Sequence, residues 1–523
     1  MQARVDQAAT KLENLDLVTE VTMEALLNPL ILDKVFRSMD VPTLKRVRLV
    51  CTVWADVGAT FLGKKAHLTF STWPEDTGLT SFHHKLANNI QLRFNMTCFC
   101  YHICTCSPSL TKLPSNFAII LPKISEKLET LEFFGVRAFE PAQEIWSTYY
   151  FPNLTRISIL ADGDDLDEKQ PPRPEMAEFR LLPSLKVFFL EVSPVCRKPS
   201  SRAVMSTICQ NLVNSAPNLE EFHLNTNFYL DLTACKNFKK LTMKHFDWGS
   251  DQFEISEMTE MLESCRTTLE SLTLDYIGWD DVPYAIIERN LYFPNLKHLR
   301  LDDYDAGIIK NSLNVTNLPK LKLFSLSSLD IDNMCIIFAM LDSHHLRHTG
   351  TTSLDIDCTH YPEFGLDVEA GRKVVNLFPA VKELKLKLTV EFIIPYDQYF
   401  LALKETMQSF GNWELACGQV EFEIGSYSVY GTHGPYDHEF GSLMVIAVLQ
   451  GMAGWRGLTK TSIEFTGNLW HARFRLLDEM REAILSCRTI KSLTFTGFQM
   501  DEETKDNFQT FIGEHNLQIS ATD

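Results

Sequence analysis

The chain is short of positive charge. Its 523 residues carry 49 Lys and Arg against 67 Asp and Glu, a formal net charge of −18. That argues against nucleic acid as the main partner, because phosphate binding needs a basic face. Long apolar runs are also missing. The longest near the C-terminus, LMVIAVL at 443–449, falls far short of a membrane span. The opening MQARVDQAATKLENLDLVTE has no apolar signal-peptide core. No glycine loop of the phosphate-cradling kind occurs, and no nucleophile elbow. The 13 cysteines are odd in number and mostly scattered, which fits a reducing compartment better than a disulfide framework. Together these absences predict an intracellular protein, cytoplasmic and/or nuclear, with no membrane association, no cofactor and no catalytic residue. The Asn-x-Thr sequons at Asn95, Asn153 and Asn314 are then expected to stay unmodified.

What is present begins with NPLILDKVFRSMDVPTLKRVRLVCTVW at 28–54. Residues 1–60 hold 7 Lys/Arg and 8 Asp/Glu, so nearly all the net acidity belongs to residues 61–523. Asn28 suits an N-cap and Pro29 the first helical position, where its missing N–H costs nothing. Leu32, Val35, Phe36 and Met39 then share one helical face. SMDVP breaks the helix, and Pro42 opens a second, with Leu44, Val47, Val50, Cys51 and Trp54 on one side. Leu30, Ile31 and Leu49 are apolar beyond what one stripe needs. Two short helices cannot bury this surface by themselves. Each large apolar side chain buried is worth roughly 1.5–3 kcal/mol, so the surplus needs cover, from the rest of the chain or from another protein.

The order ILDKVFRSM, a proline turn, then LKRVRLVCTVW resembles an F-box, over about residues 24–62. One departure is that Leu27-Asn28-Pro29-Leu30 stands where the family has Leu-Pro followed by an acidic residue. The resemblance implies docking to the Skp adaptor and through it to a cullin/RING ligase core, a helix-in-groove contact. The residues it assigns to that contact are Leu27, Pro29, Ile31, Leu32, Val35, Phe36, Met39, Leu44, Val47, Leu49, Val50, Cys51 and Trp54.

After residue 120 one phrase recurs: FPNLTRISIL, LPSLKVFFLEV, APNLEEFHLNT, RTTLESLTLDY, FPNLKHLRLDD, LPKLKLFSLSS, FPAVKELKLKL and CRTIKSLTFTG. KLETLEFFG, NFKKLTM and TGTTSLDID are weaker copies. The template is apolar-Pro-x-Leu-x-x-Leu-x-Leu, and segments between copies, such as EISEMTEMLESC, are apolar at helical spacing. This is similar to leucine-rich repeats, with uneven spacing and the repeat's usual Asn clear only at Asn227. The expected fold is α/β. A small helical F-box (23–65), after an N-terminal extension (1–22), precedes an irregular solenoid (66–523), strands lining the concave face and helices the convex one. Residues flanking the inward leucines then form an outward ladder. Its candidate target-binding members are Arg156, Ser158, Phe189, Glu221, His223, Lys240, Thr273, His298, Arg300, Ser325 and Lys385. Mixed polarity with an aromatic anchor suits a protein epitope.

Three stretches imitate metal sites. In CFCYHICTC, Cys98, Cys100, His102, Cys104 and Cys106 alternate, so as a strand they share one face roughly 6.5–7 Å apart. Tetrahedral zinc needs its ligands closer, which favours buried thiols. DGDDLDE at 162–168 lacks the third alternating ligand and the glycine of a calcium loop. THGPYDHEF at 432–440 offers His433, Asp437 and His438 in what reads as a surface loop. The F-box resemblance implies a non-catalytic substrate receptor of a ubiquitin ligase that holds an unknown protein target. A non-ligase F-box scaffold and a metal protein built on 98–106 are the alternatives.

Overall fold

The computed structural model describes residues 24, 26–65, 67–71, 90–95, 121–136, 145–162, 179–192, 199–247, 255–278, 290–302, 310–328, 347–360, 368–390, 396–424, 440–467, 474–487 and 490–522. The 1–22 extension, the Cys98–Cys106 run, nearly all of the 162–168 acidic stretch and the His433–His438 loop lie outside them. Two compact units divide the chain, Met1–Phe238 and Lys239–Asp523.

The 28–54 stretch folds as three helices rather than two. They are α1 (Pro29–Ser38), α2 (Val41–Val47) and α3 (Thr52–Lys65). Asn28 caps α1, its side chain accepting from the Leu30 N–H, and Pro29 takes the first turn. Asp40 caps α2 by accepting from Thr43. The expected single helix from Pro42 through Trp54 breaks at 49–50, where the Leu49 and Val50 N–H groups reach back only three residues, to Arg46 and Val47. The chain then turns, and α3 carries Trp54 back over α1.

In the first unit, β1 (His67–Ser71), β2 (Ile90–Asn95), β3 (Leu128–Val136), β4 (Arg156–Asp162), β5 (Val187–Val192) and β6 (Glu221–Asn225) come after α3. Each pairs in parallel with the next. Helix α4 (Pro199–Asn214) connects β5 to β6. In the second unit, ten strands run in chain order and parallel. They are β7 (Lys240–Asp247), β8 (Ser271–Gly278), β9 (His298–Asp302), β10 (Leu323–Ser328), β11 (Ser353–His360), β12 (Glu383–Val390), β13 (Cys417–Ile424), β14 (Lys460–Gly467), β15 (Ser492–Thr496) and β16 (Ile519–Thr522). Its helices are α5 (Ile255–Cys265), α6 (Val368–Leu377), α7 (Tyr396–Ser409), α8 (Phe440–Met452), α9 (Asp478–Ser486) and α10 (Glu502–His515). Strand, return segment, next parallel strand is solenoid-like architecture.

The repeated phrase explains this regularity. Its apolar-Pro-x-Leu lead-in closes a turn in which the Leu N–H donates to the carbonyl three residues back. Leu154 donates to Phe151, Leu185 to Leu182, Leu219 to Ala216, Leu296 to Phe293 and Leu321 to Leu318. Proline suits the second turn position because its φ is preset. The strand starts at once, and the two inward residues enter the core: Ile157 and Ile159, Phe188 and Leu190, Leu272 and Leu274, Leu299 and Leu301 are all at most 1% exposed.

A second device ties three of these turns to the preceding repeat. Asn153 Nδ2 donates to the Glu126 carbonyl, Asn218 to Pro183 (2.8 Å) and Asn295 to Thr267 (2.7 Å). The asparagine ladder thus sits in the turns, at the x of Pro-x-Leu. Asn227, read from the sequence as the repeat's Asn, is buried just after β6.

Candidate functional site

Helices α1–α3 bury a small core of Leu32, Phe36, Leu44 and Phe61, with Met39, Val47, Val53, Trp54, Val57 and Leu62 packed against it. Phe36 and Trp54 meet edge to face at 5.5 Å. The Trp54 indole N–H donates to the Leu26 carbonyl (2.7 Å), fixing the segment ahead of α1. Lys65 Nζ donates to the Arg37 and Met39 carbonyls (2.7 and 2.6 Å), placing its charge at the C-terminus of α1. Arg48 is half-buried beside Gly58, and burial lowers its pKa.

That arrangement divides the residues assigned to the adaptor contact. Leu32, Phe36 and Leu44 are 2%, 0% and 0% exposed, so they hold the three helices together and offer no contact surface. Met39, Val47, Cys51 and Trp54 are partly covered. Leu27, Pro29, Ile31, Val35, Leu49 and Val50 stand outside. Leu26 and Leu30 join them, and Leu30 and Leu49 are 79% and 86% exposed. Helical periodicity could not separate these sets, since Leu32, Val35, Phe36 and Met39 share one face of α1 and the small core covers only part of it.

A second surface is the face of each sheet pointing away from the inward leucines. All eleven ladder residues occupy outward register positions. In the first unit Arg156 neighbours Val187 and then Glu221, and Ser158 neighbours Phe189 and then His223. In the second, Lys240 leads to Ser271 and His298, and Thr273 leads to Arg300, Ser325, Asp355 and Lys385. Ser158 and Ser325 are buried beneath their neighbours, so they shape the surface and expose little of themselves.

The sequence ladder missed an acidic stretch. Asp355 and Asp357 on β11, Glu421 and Glu423 on β13 and Glu464 on β14 share the outward positions. Lys387 sits among them, 3.6 Å from Asp357 and 2.8 Å from Glu423. Burial raises the pKa of both Asp355 and Asp357, and their lysine and arginine neighbours only partly offset it. The Glu423 hydrogen bond raises that of Lys387. The alternation in LDID, VEFEI and SIEF carries the signal, but β13 and β14 lack the Pro-x-Leu lead-in that located other strands.

Among the described residues no cluster of three or more His, Cys, Asp or Glu is placed to hold a metal. No described helix is long and apolar enough to cross a membrane. The described cysteines are free. Burial lifts the Cys209 thiol, burial and then the Asp357 charge lift Cys358, and burial pushes Cys487 up to about 11 against a lowering hydrogen bond from Ser486.

No family model matches the chain, and no curated protein matches it. Among solved structures, a leucine-rich-repeat protein of Leptospira interrogans is similar over 78% of this chain and 92% of that one, at 12% identity and a TM-score of 0.25.

Proposed function

We propose that the chain is the substrate-recognition subunit of a Skp–cullin–F-box ubiquitin ligase, working in the cytoplasm and/or nucleus. Helices α1–α3 act as the F-box, and the strands beyond them act as leucine-rich repeats carrying a target protein on their outward face. The observation that carries this reading is the exposed apolar set Leu26, Leu27, Leu30, Ile31, Val35, Leu49 and Val50, clustered on a module whose own core is already filled. Apolar surface left over after a core closes marks a protein interface. The mechanism is positional. The helices bind the adaptor and the strands the target, and raising local concentration near a ubiquitin-loaded enzyme requires no catalytic group in the receptor.

The test is co-expression with the Skp adaptor. Leu30→Glu and Leu49→Glu stand clear of the core, so the helices keep their fold while the contact gains two desolvated charges. The wild type is expected to co-purify with adaptor and cullin, and the double variant to lose both with an unchanged melting temperature. Retention of adaptor by the folded variant contradicts the reading. Recovery of adaptor without cullin assigns a scaffold role instead.

A further inference from the structure

The outward face of β3–β6 differs in kind from that of the second unit. The register sets Phe134 beside Leu160, Ser158 beside Phe189, and Phe189 beside His223. The Phe189 and His223 rings lie 5.7 Å apart. Leu160 pairs with Glu191, two residues on from Phe189, so Leu160 and Phe189 are diagonal neighbours on adjacent strands. Phe134, Leu160, Phe189 and His223 therefore form one stripe across four strands, each partly open to solvent. Val187 adjoins it on β5, and Ser158, 5% exposed, forms a shallow floor beside Phe189. The first three outward positions of β7–β15 contain one large aliphatic residue, Leu323. There, Lys244 pairs with Asp275 and Lys387 with Asp357 and Glu423.

Acidic residues flank the stripe. Glu132 neighbours Ser158, Glu191 neighbours Leu160, and Glu221 neighbours Val187, with Arg156 the one guanidinium among these positions. Glu221 also holds His223 at 2.7 Å, orienting the ring that ends the stripe. An apolar line bordered by three carboxylates matches an extended segment with an apolar side chain between basic ones.

We propose that the β3–β6 face docks an extended protein segment presenting an aromatic or large aliphatic side chain flanked by Lys or Arg. This builds on the receptor reading and names the class of target. The apolar side chain lies on Phe189 and Leu160. The basic neighbours reach Glu132, Glu191 and Glu221.

The experiment measures binding of three fluorescent peptides of equal length to the full chain by polarisation. One has Phe between lysines, one Phe between glutamates, one Ser between lysines. The first is expected to bind at least about tenfold tighter than either other. Phe189→Ser should weaken it about tenfold. Glu191→Lys removes no apolar contact and should abolish the preference for lysine flanks. Lys460→Ser, on the second unit, should change nothing, and melting temperatures verify folding of each variant. Equal affinity for all three peptides, no binding, or indifference to both Phe189→Ser and Glu191→Lys overturns the proposal. So does sedimentation showing a dimer that Phe189→Ser dissolves, which would make a second copy the occupant. Leu30→Glu/Leu49→Glu should retain peptide binding whatever its effect on the adaptor, so failure of the docking face and failure of the ligase reading are separately visible.

Discussion

Helices α7 and α8 approach closely at Gly451, where an added Cβ would lie 2.7 Å from the Lys404 carbonyl oxygen and hard against Met407. Gly451→Ala must push the helices apart, and such overpacking costs about 1–3 kcal/mol. A lower urea midpoint with unchanged slope is the expected reading. Gly513 on α10 has nothing within 4 Å of the same added atom. Gly513→Ala should therefore stabilise by about 0.5–1 kcal/mol through helix propensity alone. His348 makes a pH-dependent contribution. Its buried ring accepts at Nδ1 from the Gly350 and Thr351 N–H groups and the Thr351 hydroxyl, so Nε2 carries the hydrogen and donates to the Leu318 carbonyl (3.0 Å). Burial first, and the nearby charge of Lys322 last, lower its pKa from 6.5. The unfolded chain thus takes up the proton first as pH falls. The stability from neutral His348 is complete above 6.5 and is lost as pH drops from there toward the lower folded value. Urea melts between about pH 7.5 and 5.5 should show this slope, and His348→Gln should flatten it. An equal slope in the variant assigns the titration elsewhere.

At the level of elements, the turn-and-strand unit persists even where its lettering changes. Trp413 donates its backbone N–H to Phe410, and Trp455 donates to Met452, the same three-residue closure made by the Pro-x-Leu copies. FGNW and MAGW make that turn two and three residues early, ahead of Leu415 and Leu458, which hold the leucine place by the register of β13 and β14 and are buried there. Each ring goes further than a leucine can. Trp413 Nε1 donates to the Phe378 carbonyl (2.9 Å) and Trp455 Nε1 to the Met407 carbonyl (2.7 Å), both buried. Trp413→Phe and Trp455→Phe keep most of the apolar volume but remove a buried hydrogen bond, the Phe378 carbonyl keeping its bond from the Val381 N–H. Each should cost about 1–3 kcal/mol by chemical denaturation. A loss near zero would mean that water replaces the indole. These two copies also show why part of the sheet was invisible in the sequence. A template requiring proline and leucine finds β4, β5, β9 and β10, whose turns use them. It passes over β13 and β14, where Leu415 and Leu458 keep the leucine place but no proline precedes them, and over β1 and β2, which precede the first copy.

At the scale of the whole chain, the same limit governs the candidate surfaces. Period-two alternation told outward from inward register on the strands, but could not say that Ser158 and Ser325 are buried at their outward positions. On α1, Leu32 and Val35 lie on the same apolar face, and spacing could not say that Leu32 is 2% exposed while Val35 is 42%. Only the return of α3 over α1 decides which side is core. A stack of parallel strands has a related difficulty beneath its later members, since each strand layer is covered only by its neighbours. In the second unit that cover is aromatic. Phe508 of α10 sits 5.5 Å from Phe474 and 6.0 Å from Phe495, and Phe498 contacts Phe465, Phe474 and Phe495. All five rings are at most 3% exposed. Phe508→Ala opens a cavity against Phe474 and Phe495 and should cost about 3–5 kcal/mol. Because the contacts are local, the loss should also be local. Hydrogen exchange is expected to show the amides of β14, β15 and α10 losing protection ahead of those in β7–β9. Uniform loss across β7–β16 would mean instead that the ten strands open as one cooperative body.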